Sequence, residues 1–541
     1  MRLIKNNDNP INDEKIINQI RSLGIDMIEH AASGHPGIVL GAAPIIYTLY
    51  AKHLRICPEN PDFFNRDRFI LSAGHGSALL YATLFMAGYD LDLDDLKNFR
   101  QINSKTPGHP EYKKTPGVDM TTGPLGQGLA TAVGFAIAEA RLRDRFNKYQ
   151  KDLIDFNTYV LCSDGDLQEG ISYEAMSLAG TLKLNKLIVL YDSNDISLDG
   201  KTSLSFNENI EMRMNSMGWN YIKVSEPDEI SISKAIEEAK KSSEKPTLIE
   251  VKTTIGKYSN LEGTNKVHGG ALTKEDVSQI KEKLKLRDIE FNVSSDTVED
   301  FQQLIFERSN QIIDKFNKKY EALDDELKKE LDFLMGDIKE IDLKNLTYEA
   351  PENHKEALRD TSSKILNSIV QNSPFMVGGS ADLFGAVKTY INDGGDLSAK
   401  NYSGKNIYFG VREHAMGAIL NGLALCGYRV YGSTFLGFSN YMIPAIRMSA
   451  MLNLPITYIF THDSISLGED GATHQPVEQL AFLRTMPNVT VYRPCDANEV
   501  IGVYKIVMKE SKETSIISLS KTVLPILETT KATDVSKGAY I

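Results

Sequence analysis

The chain has 541 residues, enough for two or three domains with sizeable cores, and 42% hydrophobic with 24% charged residues is the balance of a globular protein. A net charge of -12 argues against nucleic acid as a partner. The four cysteines, Cys57, Cys162, Cys426 and Cys495, are too far apart for a disulfide framework or a cysteine metal site and suit a reducing cytoplasm. Residues 1–7 lack the apolar segment of a signal peptide, and no apolar run is long enough to span a bilayer, so a cytoplasmic location without a membrane partner is expected.

Residues 12–32 place Ile16, Ile17, Ile20, Leu23, Met27 and Ile28 at helical spacing behind Asn12, a capping residue, and predict an amphipathic helix. It ends at SGHPG, 33–37, a sharp loop that presents His35. A second, apolar helix is predicted over 37–53. A short strand at 69–72 runs into AGHGS, 73–77, and a helix from Ala78, which puts His75 at a strand-to-helix junction. His109 follows in PGHP, 107–110. The cluster TTGPLGQG, 121–128, precedes a small-residue helix over 129–145. Exposed N–H groups and the helix dipole there would make an anion site, although close helix packing would want the same glycines.

The stretch 157–198 organises the rest. Apolar run 158–162 predicts a strand, 163–166 a turn, 170–184 a helix and 187–191 a second strand, parallel to the first. Asp164 and Asn194 then stand just past the carboxyl ends of adjacent strands, where open α/β sheets bind ligands. A carboxylate and an amide oxygen suit a hard cation such as Mg²⁺, with the carbonyl of Ile196 as a third oxygen and room for a diphosphate. Gly165 lets the backbone come close. An ordinary loop aspartate and a turn asparagine are the competing reading.

Residues 245–251 predict another buried strand, followed by a loop to VHGG and His268. From 273 to 345 the chain is dense in Lys, Glu and Asp at helical spacing, which reads as a solvated connection. A domain boundary is placed at 350–352. Beyond it come a helix through Arg359, Ile365 and Ile369, strands at 375–377 and 407–409, an apolar helix ending at Cys426, and strands at 455–460, 488–491 and 515–518. Residues 538–541 read as the start of a further strand. Six of the ten histidines (His35, His75, His109, His268, His462 and His474) lie in Gly- or Pro-rich loops, which favours one shared site for proton transfer and hydroxyl recognition over six coincidences.

Eight segments in this order resemble the transketolase family: SGHPG at 33–37, GPLGQG at 123–128, SDGDLQEG at 163–170, SLAGTLKL at 177–184, YDSNDIS at 191–197, GGSADL at 378–383, GVREHAMG at 410–417 and GEDGATHQP at 468–476. The resemblance implies an α/β fold of two doubly wound parallel-sheet domains that bind thiamine diphosphate. They are a diphosphate- and Mg-binding domain over 1–320 and a pyrimidine-binding domain over 355–530, joined by a segment at 321–354. Residues 531–541 would begin a C-terminal domain that is otherwise absent. The implied reaction, part of the pentose phosphate pathway, moves a two-carbon ketol unit from a ketose phosphate to an aldose phosphate.

By position, Mg²⁺, with Ca²⁺ or Mn²⁺ as substitutes, would sit on Asp164, Asn194 and Ile196. His75, Gly123, Leu125, Gly165, Glu169 and Asp382 would contact the cofactor, Glu169 from the subunit interface. Phe435, Phe438 and Tyr441 would wall the pyrimidine. Glu413 would hydrogen-bond that ring as a protonated acid, so burial must raise its pKa. His35, His109, His268 and His474 would serve substrate hydroxyls and proton transfer. Asp470 would read a hydroxyl, and Arg359, His462 and Lys521 would hold the distal phosphate. The family shares its cofactor between subunits, so a homodimer is implied.

Some positions depart from the family pattern. Ser163 replaces a glycine, Asn265 a histidine, Gly385-Ala386 a Pro-Ser pair and Lys521 an arginine. Lysine is a point charge where arginine offers a bidentate fork, so altered recognition of the distal phosphate is expected, with Lys388 compensating. The alternatives are a related ketol transferase of different donor or acceptor, such as a dihydroxyacetone synthase, and a non-catalytic subunit that keeps the fold. Retention of Asp164 and Glu413 weighs against the latter.

Overall fold

The computed structural model describes residues 11–336, 340, 341, 343, 346, 348, 349, 355–371, 373–510 and 512–540. The boundary expected at 350–352 and the leading residues 1–7 lie outside this set. Tertiary contacts divide the chain into two units, residues up to 132 with 152–322, and residues 133–151 with 323–541. The sequence assigns 133–151 to the first domain. They pack with the second unit because the small residues of the helix Gln127–Phe146 permit close approach: a Cβ on Gly134 would lie 2.1 Å from the Ile419 carbonyl oxygen.

The first unit is built on five parallel strands, β1 Arg68–Leu71, β2 Thr158–Ser163, β3 Leu187–Ser193, β4 Asn220–Val224 and β5 Thr247–Lys252, in the order β1-β2-β3-β5-β4. All residues of β1, β2 and β3 are buried, as strands covered on both faces must be, which is why the sequence shows them as unbroken apolar runs. The edge strand β4 is half-exposed and carries Asn220 and Lys223, and so gives no such signal. The helix Asp13–His30 buries the expected apolar face, and the Asn12 side chain accepts from the Lys15 N–H at 3.0 Å. The expected turn at 163–166 is instead a short helix, Asp164–Gln168, begun by a reciprocal capping box between Ser163 and Asp166.

The second unit has six parallel strands, β6 Met376–Ser380, β7 Asn406–Tyr408, β8 Arg429–Phe435, β9 Thr457–Thr461, β10 Val489–Tyr492 and β11 Thr514–Leu519, in the order β7-β6-β8-β9-β11-β10. Strand β8 is buried throughout and pairs with β6 and β9, yet the sequence does not announce it, because Arg429, Gly432, Ser433 and Thr434 break the apolar run. Residues 538–540 form no strand; they follow a 3-10 turn, Ala532–Lys537. Among the described residues no helix is long and apolar enough to cross a membrane.

Candidate active site

In the first unit the loops leaving β1, β2 and β3 at their carboxyl ends carry His75, Asp164 and Asn194. Asp166 fastens this end together. Its Oδ1 accepts from Ser72 Oγ at 2.6 Å and from the Gly126 N–H at 2.8 Å, and its Oδ2 from the Ser163 N–H at 2.9 Å. One buried carboxylate thus joins the end of β1, the glycine loop and the end of β2. Gly126 is left-handed at φ +79°, and a Cβ there would meet Ile171 at 2.7 Å and Glu169 at 2.9 Å. Gly165 lies against Leu125, which a Cβ would approach to 2.7 Å. Gly123 lies beside the His109 ring, and Glu169 is exposed at the break between two helices.

Asp164 is 3% exposed. Its Oδ1 accepts from the Tyr191 hydroxyl at 2.5 Å, while Oδ2 is buried without a partner. Burial, with the nearby Asp192, pushes its pKa up to about 7, against the opposing bonds from Tyr191 and the Asn194 backbone. The Asn194 amide oxygen accepts from the Ile196 N–H at 3.1 Å and keeps a second lone pair. Asn265 closes its loop by donating to the Leu198 carbonyl at 3.1 Å.

Four of the six loop histidines meet in this unit. The His35 ring centroid lies 5.2 Å from His75, 6.3 Å from His109 and 6.0 Å from His268, and His75 stacks on His268 at 5.3 Å. Arg100, which no sequence signal singled out, donates to Ser33 Oγ at 2.9 Å and approaches His35 Nδ1 at 3.4 Å. That contact favours the tautomer with its proton on Nε2. Burial lowers the pKa of all four rings, and Arg100 adds to the effect at His35 and His109, taking His35 to about 4. They are neutral near pH 7, and the buried Nδ1 of His268 has no partner.

The second unit gathers the other group. Glu413 opens the helix Glu413–Leu425, is buried, and accepts from Thr434 Oγ1 at 3.2 Å. Burial raises its pKa, as the expected role as an acid requires. Phe435 and Phe438 stack at 5.4 Å, Tyr441 stands 6.3 Å beyond, and His474 packs 5.1 Å from Phe438. His462 is left-handed at φ +59°, bonded through Nδ1 to Thr461 Oγ1 at 2.7 Å and packed 3.9 Å from Phe435. Burial takes its pKa to about 4; Arg359, Lys521 and His474 also lower it and Asp470 raises it.

Arg359 donates to the Ala386 carbonyl at 2.9 Å, and its Nε is buried without an acceptor. Lys521 pairs with Glu469 at 2.8 Å and stands 3.6 Å from Asp470. Asp382 is exposed and left-handed at φ +63°, a strained conformation that costs free energy at a non-glycine residue. Lys388, also left-handed, ends a short helix and is exposed.

Comparison with known proteins identifies two family domains: residues 12–338 match the thiamine diphosphate binding domain of transketolase, and residues 354–526 its pyrimidine binding domain. The chain belongs to the transketolase family. It is 49% identical to the transketolase of Bacillus subtilis, over 98% of this chain and 81% of that one, and 47% identical to that of Geobacillus stearothermophilus at the same coverage. The crystal structure of a Pichia stipitis transketolase in complex with sedoheptulose 7-phosphate superposes with a TM-score of 0.95 at 42% identity, covering 98% of this chain and 80% of the other. The activity is accordingly that of a transketolase, the thiamine diphosphate-dependent transfer of a two-carbon ketol unit.

The residues present fit that cofactor. Asp164 offers a buried oxygen without a donor, and Gly126 and Gly165 sit where a Cβ would collide with the walls of the loop. Among the described residues no three His, Cys, Asp or Glu side chains form a metal cluster. The Asp164 carboxylate, the Asn194 amide oxygen and the Ile196 carbonyl would together suit Mg²⁺ completed by phosphate oxygens.

Proposed function

We propose that the chain transfers the ketol unit between sugar phosphates in the pentose phosphate pathway, in the cytoplasm, as a Mg²⁺-dependent homodimer. In that dimer the first unit of one subunit and the second unit of its partner would share each cofactor. The observation that carries the reading is the buried, unpartnered Oδ2 of Asp164 at the carboxyl end of β2. Exposed Tyr408, Val411 and Tyr441, near Glu413 and the aromatic wall in sequence, support a face that a partner covers.

Thiamine diphosphate supplies the nucleophilic carbon for the two-carbon unit and the sink for the electron pair released by C–C cleavage. The chain's own residues bind, orient and move protons. Asp164, Asn194 and the Ile196 carbonyl would hold the cation, and Gly123 to Gly126 would admit the diphosphate. Leu125, Gly165, Glu169 and Asp382 complete the contacts. Glu413, its pKa raised by burial, would hydrogen-bond the pyrimidine that Phe435, Phe438 and Tyr441 would enclose. The neutral imidazoles of His35, His109 and His268 accept hydrogen bonds or protons from substrate hydroxyls without adding charge, and His75 contacts the cofactor. His474 and Asp470 bind hydroxyls, and Arg359, His462 and Lys521 the distal phosphate. The sugar phosphate bound in the Pichia stipitis structure supports this choice of substrate.

The test is an assay with xylulose 5-phosphate and ribose 5-phosphate, with and without thiamine diphosphate and Mg²⁺. Cofactor-dependent formation of sedoheptulose 7-phosphate and glyceraldehyde 3-phosphate is expected. Turnover that ignores both cofactor and Mg²⁺ would overturn the reading.

A further inference from the structure

At the amino ends of the strands in the second unit lies a cavity of about 330 Å³. Lys405, Phe375 and Tyr428, which line it, immediately precede β7, β6 and β8. Glu413, Asp382 and His462 follow the carboxyl ends of β7, β6 and β9, so the two sites occupy opposite edges of one sheet. The helix Gln127–Phe146 contributes Arg141 and Arg145, four residues apart and hence on one face.

The charges in this cavity do not balance. Arg145 is matched by Glu330, which takes its Nε at 2.8 Å and Nη2 at 2.6 Å. Arg141 is buried and, among the described residues, pairs with no carboxylate: Nη1 donates to the carbonyls of Tyr402, at 2.9 Å, and Gly404, the guanidinium lies 5.4 Å over the Tyr428 ring, and Nε finds no acceptor. Asp144, on the same helix, pairs with Lys148 at 3.3 Å. Among the described residues Lys405 likewise donates to carbonyls, those of Val370 and Ser373, and to no carboxylate. Burial and the repulsion of Arg141 lower its pKa to about 8. Buried Arg141 and half-buried Lys405 thus form no ion pair among the described residues, an arrangement that a dianion relieves. Phe146, Leu334 and Phe375 form an apolar side.

We propose that this cavity is a second ligand site, in which Arg141, Arg145 and Lys405 bind a small phosphate monoester whose organic part lies on Phe146, Leu334 and Phe375. A phosphate monoester carries about -1.5 to -2 at neutral pH, the charge the site lacks, whereas a monocarboxylate carries a single negative charge. The arginine fork and the lysine point charge suit phosphate oxygens.

The experiment is calorimetric titration of phenyl phosphate into the full chain already saturated with thiamine diphosphate and Mg²⁺. One saturable site is expected, with benzoate and inorganic phosphate binding more weakly. Arg141 holds a backbone turn, so the test uses Lys405→Gln and Arg145→Gln, each expected to weaken binding roughly tenfold while Lys521→Gln leaves it unchanged. Absence of saturable binding, affinity unaltered in both cavity variants, or loss of binding in Lys521→Gln would each overturn the proposal.

Discussion

Asp164 is a buried carboxylate with one oxygen bonded to Tyr191 and the other without a donor, so its contribution to stability depends on metal and pH together. Its folded pKa of about 7 stands above the unfolded value of about 3.9. That contribution is present below about pH 4 and is lost as pH rises through about 7, where an unpaired anion must be buried. Asp164→Asn should therefore raise the melting temperature of the metal-free chain at pH 8, and abolish its further rise on adding Mg²⁺ and thiamine diphosphate. Equal melting curves for the two proteins in both states would contradict this. Glu413→Gln should lower kcat by about 10²- to 10⁴-fold, the range for a positioned acid, while the cofactor affinity measured by calorimetry changes little. Parallel losses in both would show that Glu413 merely binds. Lys521 poses a question of specificity, since its charge is engaged by Glu469 and Asp470. Freeing it through Glu469→Gln should lower KM for sugar phosphates relative to their unphosphorylated analogues, and an unchanged ratio would exclude Lys521 as a phosphate ligand.

Two glycines bound the helix Gly170–Thr181 and differ in what surrounds them. A Cβ on Gly180 would lie 1.8 Å from the Met217 carbonyl oxygen, whereas nothing stands within 4 Å of one on Gly170. Gly180→Ala should cost about 1–3 kcal/mol by overpacking, and Gly170→Ala should be neutral or slightly stabilising; chemical denaturation curves distinguish the two. Elements were legible in the sequence in proportion to how evenly they are buried. Strands β2, β3, β9 and β11 read as apolar runs because both faces are covered. Strand β8 did not, since its Arg429 is buried by donating to the carbonyls of Val507 and Glu510, contacts that no local pattern encodes. The same limit holds in the site. His35, His75 and His268 were marked by flanking glycines, whereas Arg100 and Asp166 act through partners distant in sequence.

Across the whole molecule, buried histidines set the response to acid. Burial and neighbouring cations hold His53 at about 3, beside Ser233 and Lys240, and His35 and His462 lie at about 4. Each folded value is below the unfolded value of about 6.5, so their stabilising contribution is complete above pH 6.5 and is lost as pH falls toward 4. Asp26 and Asp192, at about 6, and Asp164, at about 7, act in the opposite sense over the same range. The melting temperature should fall from pH 6.5 to 4, and less steeply in His53→Gln; parallel profiles would refute a role for His53. The three segments fastened by Asp166 carry a consequence for the order of events during synthesis. Ser72 lies 94 residues before Asp166 and Gly126 lies 40 before it. Two long loops must close before that carboxylate reaches its donors, and loop closure costs entropy that local contacts do not repay. A ribosome-bound chain shorter than 166 residues therefore cannot yet form the proposed diphosphate cradle, and on that reading cofactor capture must wait until β2 has joined β1.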